Sequence, residues 1–152
     1  MTADATAAMV IRPGQLAEAA AILALWRAAD ATPSVTDHPG DVERILRGGA
    51  CLLLVAELGG RLIGTVIGGF DGWRGFLYRL AVDPAHRRCG VARRLVAEIE
   101  RDLRRRGAVR ITALVERDHP WATAFWTAVG YRDDAGIARY VRDLGGAEVG
   151  RR

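Results

Sequence analysis

Along the chain, short apolar runs alternate with longer stretches in which apolar residues recur every three or four positions, a pattern of strands and helices mixed in one fold. Met9 to Arg12 reads as a short strand closed by Pro13-Gly14. Gln15 to Asp30 reads as a helix whose inner face is Leu16, Ala19, Ala20, Leu23 and Trp26 or Arg27. Ala31 to Gly40, with its two prolines, is a loop, and Asp41 caps a shorter helix that runs to Arg47 and stops at Gly48-Gly49. Cys51 to Glu57 and Arg61 to Phe70 flank the turn Leu58-Gly59-Gly60 as a hairpin of buried strands, and a second turn at Asp71 to Gly75 leads into the strand Phe76 to Val82. Gly90 to Arg106 is a long helix that turns Val91, Leu95, Val96, Ile99 and Leu103 inward and stops at Gly107. Val109 to Val115 is a strand, Pro120 to Val129 a helix with proline in its first turn, and Ile137 to Leu144 a final strand. The order is β-α-α-β-β-β-α-β-α-β, an α/β (α+β) chain.

A length of 152 residues suits one domain with one core. Residues 9–144 are expected to form it, residues 1–8 to be disordered and residues 145–152 to be a flexible tail. The apolar runs are strand-sized, too short to span a bilayer, and no basic segment with a cleavage site precedes them, so the expected compartment is the cytoplasm and no membrane partner is indicated. Cys51 lies in an apolar run and Cys89 in a basic loop; neither a disulfide framework nor a metal site follows from that spacing.

All 22 basic residues are arginine, and the net charge of +4 favours an anionic partner. Placement narrows the choice. Arg87, Arg88, Arg93 and Arg94 surround one loop, so a phosphate-bearing cofactor accounts for the charge more simply than a nucleic acid does. Arg101 and Arg104 to Arg106 stand at helical spacing from Glu98, Glu100 and Asp102 and read as a solvated, paired face.

Between the strand Phe76 to Val82 and the long helix lies a turn ending in Gly90-Val91-Ala92, where successive backbone N–H groups leave a helix N-terminus. Such a turn cradles anions, aided by the helix dipole. Leu80-Ala81-Val82-Asp83-Pro84-Ala85-His86-Arg87-Arg88-Cys89-Gly90-Val91-Ala92 resembles the acetyl-coenzyme A motif of the GNAT superfamily of N-acetyltransferases, a strand end, a proline and then Q/R-x-x-G-x-G/A. His119 to Tyr131 resembles the later N-x-x-A-x-x-F/L-Y-x-x-x-G-F/Y segment of that family, and Gly68 to Gly75 with the following strand resembles the small bacterial YpeA-like members.

The resemblance implies a GNAT fold, a mostly antiparallel splayed sheet with helices on both faces, in which Phe76 to Val82 parts from Val109 to Val115 beyond a bulge. It implies acetyl-CoA as co-substrate, with pantetheine against Leu80, Ala81 and Val82 as a false strand, and pyrophosphate on Arg87, Arg88, Cys89, Gly90, Val91 and Ala92. His119, Phe125 and Trp126 would stand beside it. The implied reaction is direct attack of a primary amine on the thioester, with the backbone N–H of Leu80 donating to the oxyanion.

The side chains depart from the family pattern where protons move. The tyrosine that protonates the leaving thiolate in many relatives is Trp126 here, and the two positions used for a base are Phe76 and Leu114. Strand alternation points Glu116 the same way as Leu114, making it a candidate base; the other reading is a surface carboxylate paired with Arg117 or Arg142. Tyr78 is a candidate proton relay or substitute acid, or a core tyrosine. His119, an imidazole with a reference pKa near 6.5 for the residue type, is a candidate shuttle or a loop anchor. Cys89, between arginines at a helix N-terminus, is placed for reversible oxidation that would block the cofactor. Trp26, Asp30, Asp71 and Trp73 are candidates for the acceptor side, with Asp37 a further carboxylate for a cationic amine. The acceptor is a small-molecule or peptide amine, a protein N-terminus among them; an acyl-CoA-binding sensor without turnover is the reading from another class. A homodimer is allowed by this reading.

Overall fold

The computed structural model describes residues 8–145; apart from Ala8 and Gly145, the segments expected to be disordered or flexible lie outside the described residues. The elements are β1 (Val10–Pro13), α1 (Ala19–Ala28, entered through a 3-10 turn at Leu16–Glu18), α2 (Pro39–Leu46), β2 (Cys51–Leu58), β3 (Arg61–Phe70), β4 (Gly75–Val82), α3 (Val91–Arg106), β5 (Ile111–Ala113) and α4 (Pro120–Ala128). The strands lie in the order β1-β2-β3-β4-β5, antiparallel except for the parallel pair β4 and β5.

The two faces of the sheet are covered by different helices. Ile22, Leu23 and Trp26 of α1 and Val42 of α2 pack with Leu53, Val55, Ile67 and Ala81 on one side. Val91, Leu95, Ile99 and Leu103 of α3 and Trp126 of α4 pack with Leu54, Ala56, Val66 and Leu77 on the other. Glycines of β3 let α3 settle directly on the backbone: a Cβ at Gly64 would come within 2.8 Å of Val91, and one at Gly68 within 2.3 Å of Ile99. Close approach of α3 matters because its N-terminus is one wall of the site.

The β4–β5 pairing covers only Gly75 to Leu77 against Ile111 to Ala113, with a last bond from Leu114 N–H to Leu77 C=O at 3.3 Å. Beyond it β4 continues to Val82 paired with β3 but no longer with β5, so the sheet opens into a V as the resemblance implied. The strand expected over Val109 to Val115 is thus three residues long, since pairing stops where the strands diverge.

Two other sequence expectations are corrected. Asp41 is not the cap of α2; the helix begins at Pro39 after His38, and Asp41 sits in the first turn, paired with Arg44 at 3.0 Å. Ile137 to Leu144 is not a strand. It runs irregularly with Ile137, Tyr140, Val141 and Leu144 exposed. Its alternation breaks at Tyr140-Val141, which puts apolar and charged residues on both faces, and register is weakly specified without a one-sided apolar face. An open groove of about 530 Å³ flanks the neighbouring segment, lined by Glu100, Arg104, Ile111 and Tyr131 toward the C-terminal half of α3.

Candidate functional site

The site is built where β4 leaves β5. Ladder pairing with β3 passes from Tyr78 opposite Ile67 to Ala81 opposite Thr65, so Arg79 and Leu80 together face Val66: a bulge with one extra residue. Arg79 takes the left-handed conformation there, φ 51°, an uncommon state for a residue with a side chain. The bulge that the sequence expectation required thus falls at Arg79-Leu80, next to the parting of the strands.

Two sets of bonds hold the bulge. On the core side, the Trp26 indole N–H donates to Thr65 Oγ1 at 2.9 Å, and the Thr65 hydroxyl donates to the Arg79 carbonyl at 3.0 Å. Thr65 is wholly buried and Trp26 nearly so. On the outer side, the Arg79 guanidinium donates to both carboxylate oxygens of Asp37, at 2.6 and 2.8 Å, and to the Thr32 carbonyl at 2.8 Å, while lying over the Trp26 ring. The loop between α1 and α2 is thereby tied to β4.

The same loop is gripped from the other arm of the V. Thr32 N–H donates to Glu116 Oε1 at 2.9 Å, and Glu116 Oε2 meets His119 Nε2 at 2.6 Å. Thr32 therefore bridges the diverging strands, its carbonyl held from β4 and its amide from the segment after β5. Burial by itself would raise the Glu116 pKa, but the hydrogen bonds from Thr32 and the nearby imidazole outweigh it, and the carboxyl titrates below the usual range. The partner is His119 rather than Arg117 or Arg142. His119 is also the residue preceding α4, and its ring tilts against Trp121 at 5.6 Å between centroids.

Tyr78 is half-exposed and tilts against Phe76 at 5.1 Å. Burial raises its phenol pKa, with the Cys51 thiol adding to the rise and Arg139 opposing it. The Phe76 ring covers Gly69, where a Cβ would lie 2.4 Å from it, so the position that relatives give to a base is filled by packing.

At the other end of β4 the turn has the form of an anion cradle. Arg88 (φ 62°) and Gly90 (φ 79°) are both left-handed, and α3 begins at Val91 with no side chain capping its first N–H groups. By contrast, the 3-10 turn Pro84–His86 just before it is capped by Asp83, which accepts from Ala85 N–H at 2.9 Å. Open space adjoins Gly90. Arg87 lies over the Trp121 ring and donates to the Ala29 carbonyl at 3.4 Å, while Arg88 and Arg93 have no ion-pair partner among the described residues. Cys89 is exposed, its thiol donating to the Arg87 carbonyl. Uncapped donors, two unpaired cations and an unfilled space fit a polyphosphate.

Several acceptor candidates are committed elsewhere. Trp26 is 4% exposed and serves the bulge rather than walling an opening. Asp71 closes its own turn by accepting from Trp73 and Arg74 N–H, both at 2.8 Å, and Asp37 is neutralised by Arg79. Asp30, left-handed at the end of α1, and Trp73, stacked under Arg74, remain exposed. Trp126 is buried, edge-on to Phe125 and Tyr131. On α3 the expected helical pairs form between Arg101 and Glu98 and between Arg105, Arg106 and Asp102, whereas Glu100 accepts from the Tyr131 hydroxyl. Thr65 and Arg79 went unnoticed in the sequence, although each is a lone polar residue inside an apolar strand, the signal of a buried polar duty.

A sheet that parts at a bulge, beside a helix whose first N–H groups are uncapped, is an arrangement in which an extended phosphate-bearing ligand can pair with an open strand. The profile of the acetyltransferase (GNAT) family matches residues 20–131, and the chain belongs to that family. Among solved structures it is similar to an aminoglycoside N-acetyltransferase AAC(6')-Iy in complex with CoA, at 20% identity and TM-score 0.76 over 92% of this chain and 98% of that one. It is similar too to the aminoglycoside 6'-N-acetyltransferase AAC(6')-IG of Acinetobacter haemolyticus, at 21% and 0.74 over 90% and 99%. A ribosomal-protein-alanine N-acetyltransferase from Brucella melitensis biovar Abortus 2308 matches at 22% and 0.69 over 91% and 100%. These likenesses concern the fold. No helix among the described residues is long and apolar enough to cross a membrane.

Proposed function

We propose that this chain transfers the acetyl group of acetyl-CoA to a primary amine by direct attack in a ternary complex. The observation that carries the reading is the bulge at Arg79-Leu80, set where β4 and β5 part and one short turn from the uncapped start of α3. In this reading Leu80, Ala81 and Val82 offer the strand edge to pantetheine, and residues Arg87 to Ala92 hold the pyrophosphate. Leu80 N–H donates to the thioester oxygen as it gains charge, a contribution available whatever the side chain.

Proton movement is assigned to Glu116 and His119, which lie in contact, and to Tyr78 on β4. An attacking alkylammonium, with a pKa near 10, must lose a proton first. Both oxygens of Glu116 are already engaged and its carboxyl is held in the ionised form, which makes it a poor base. Its partner His119 is the better acceptor, with Glu116 orienting the ring and compensating its charge, as paired carboxylates do for catalytic imidazoles. Tyr78, kept protonated by burial, is the acid for the departing thiolate.

The acceptor side is narrowed by the clamped α1–α2 loop, which spans the V at Thr32. A small amine suits that clamped opening, with Asp30 and Trp73 the acceptor candidates that remain exposed. The similar proteins named above include both aminoglycoside and ribosomal-protein acetyltransferases, which are likewise enzymes acting on amines. The test is detection of the acetylated product by mass spectrometry after incubation with acetyl-CoA and a panel of small polyamines, aminoglycosides and peptide N-termini. Acetylation of a small amine supports the reading; acetylation of peptides alone replaces its acceptor, and tight acetyl-CoA binding with no product from any amine replaces the enzyme by a sensor.

A further inference from the structure

We infer that Trp26 and Thr65 are positioning residues that orient and polarise the peptide group donating to the reaction's oxyanion; this rests on the assignment of Leu80 N–H as that donor. The Arg79 carbonyl and the Leu80 N–H belong to one peptide unit. In a trans peptide they point in opposite directions within one plane, and the peptide bonds of the described residues include no cis bond. Whatever holds the carbonyl therefore aims the N–H.

What holds it is a two-step chain running out of the core. Trp26 Nε1–H donates to Thr65 Oγ1 at 2.9 Å, which commits the hydroxyl proton to the Arg79 carbonyl at 3.0 Å. Thr65 is fully buried and Trp26 is 4% exposed, so no solvent competes for these groups. An amide that accepts at its oxygen becomes a stronger donor at its nitrogen, because polarisation passes along a hydrogen-bonded chain, by roughly 10–30% per bond. At a bulge the peptide is released from the regular ladder, and without this chain nothing on the core side would fix its plane. The Thr65 hydroxyl in the middle of the apolar strand β3 and the Trp26 indole N–H facing it from α1 both find their hydrogen-bond partners in this chain.

The arrangement makes donor strength measurable in the ground state. Acetyl-CoA labelled with ¹³C at the thioester carbonyl, bound to the wild-type protein, is expected to show a carbonyl stretch moved to lower frequency than in free acetyl-CoA. In Thr65→Val roughly half of that movement is expected to be lost, with kcat down about tenfold against the 10²–10³ seen when a whole oxyanion donor is removed. Acetyl-CoA affinity should stay within about twofold, since the pyrophosphate and most pantetheine contacts are untouched. Thr65→Ser, which keeps the hydroxyl, should restore both readouts. Trp26→Phe removes only the first donor and serves where Thr65→Val does not fold; a smaller change in the same direction is expected. If wild-type protein moves the stretch and both variants move it equally at unchanged kcat, the relay is wrong while Leu80 keeps its role. If bound acetyl-CoA shows no movement in the wild-type protein, the assignment of Leu80 is wrong and the relay falls with it.

Discussion

Glu116 carries one hydrogen bond on each carboxylate oxygen, and this double engagement decides its duty. Its folded-state carboxyl titrates below the ordinary range, so its stabilising contribution is present above that range and disappears as pH falls through the depressed value. For an exposed pair the size is modest, about 1 kcal/mol or less. Glu116→Gln should accordingly lower Tm near neutral pH by roughly 2 °C, with the difference from wild type vanishing once the pH falls below the depressed carboxyl pKa. A difference that persisted unchanged in acid would show that the carboxylate charge is not what stabilises. In turnover, His119→Ala should cost about 10²-fold in kcat and Glu116→Gln about tenfold, the ratio expected when one group moves the proton and the other orients it. Equal losses, or none, would return the proton to water. Arg88→Ala is the matching test on the cradle: acetyl-CoA affinity should weaken about tenfold by calorimetry, the size of one charge-assisted contact, with Tm unchanged. The left-handed turn and uncapped helix start at Arg88 to Val91 were legible in the chain because a backbone cradle leaves its mark as glycine and arginine at fixed spacing. The pairing of Glu116 with His119 was less so, because its setting is completed only when Thr32, far away in the chain, supplies the third contact.

Among the elements, α3 is the piece whose placement the site depends on, and β3 sets it through the glycines beneath. Neither Gly64 nor Gly68 is needed for a positive φ; what they supply is room. Gly68→Ala would put a methyl 2.3 Å from Ile99 Cγ1, and overpacking of this sort destabilises by roughly 1–3 kcal/mol. Thermal unfolding should show that loss together with weaker acetyl-CoA binding, since the N-terminus of α3 must shift with the helix; full affinity in a destabilised variant would uncouple helix seating from the cradle. The α1–α2 loop depends instead on Arg79. Arg79→Lys keeps the charge but loses the fork that spans Asp37 and the Thr32 carbonyl, so KM for the amine should rise about tenfold with acetyl-CoA affinity little changed. A rise in the acetyl-CoA constant alone would place the clamp on the wrong substrate. Periodicity revealed α1, α3 and the strands β2 to β4, whose apolar faces are long, whereas β1 was marked by the Pro13-Gly14 that closes it and α2 by the glycines that follow it. It misjudged β5 and the segment Ile137 to Leu144, where three paired residues, or a run with charge on both faces, leave periodicity little to report.

For the molecule as a whole, the two halves of the core converge on one opening. Helices α1 and α2 seal one face and deliver Trp26 and the clamped loop, while α3 and α4 seal the other and deliver the cradle and His119. The sheet between them parts beside the left-handed arginine bulge, and the clamped loop at Thr32 links that bulge to the paired Glu116 and His119. In the proposed reaction this arrangement brings amine and thioester together at once, and no side chain carries the acetyl group. The central claim is therefore tested most directly by the initial velocity of coenzyme A thiol release, measured against acetyl-CoA at several fixed concentrations of an accepted amine. Direct transfer predicts release that requires the amine and reciprocal plots that intersect; parallel plots, or release that the amine does not change, would contradict it.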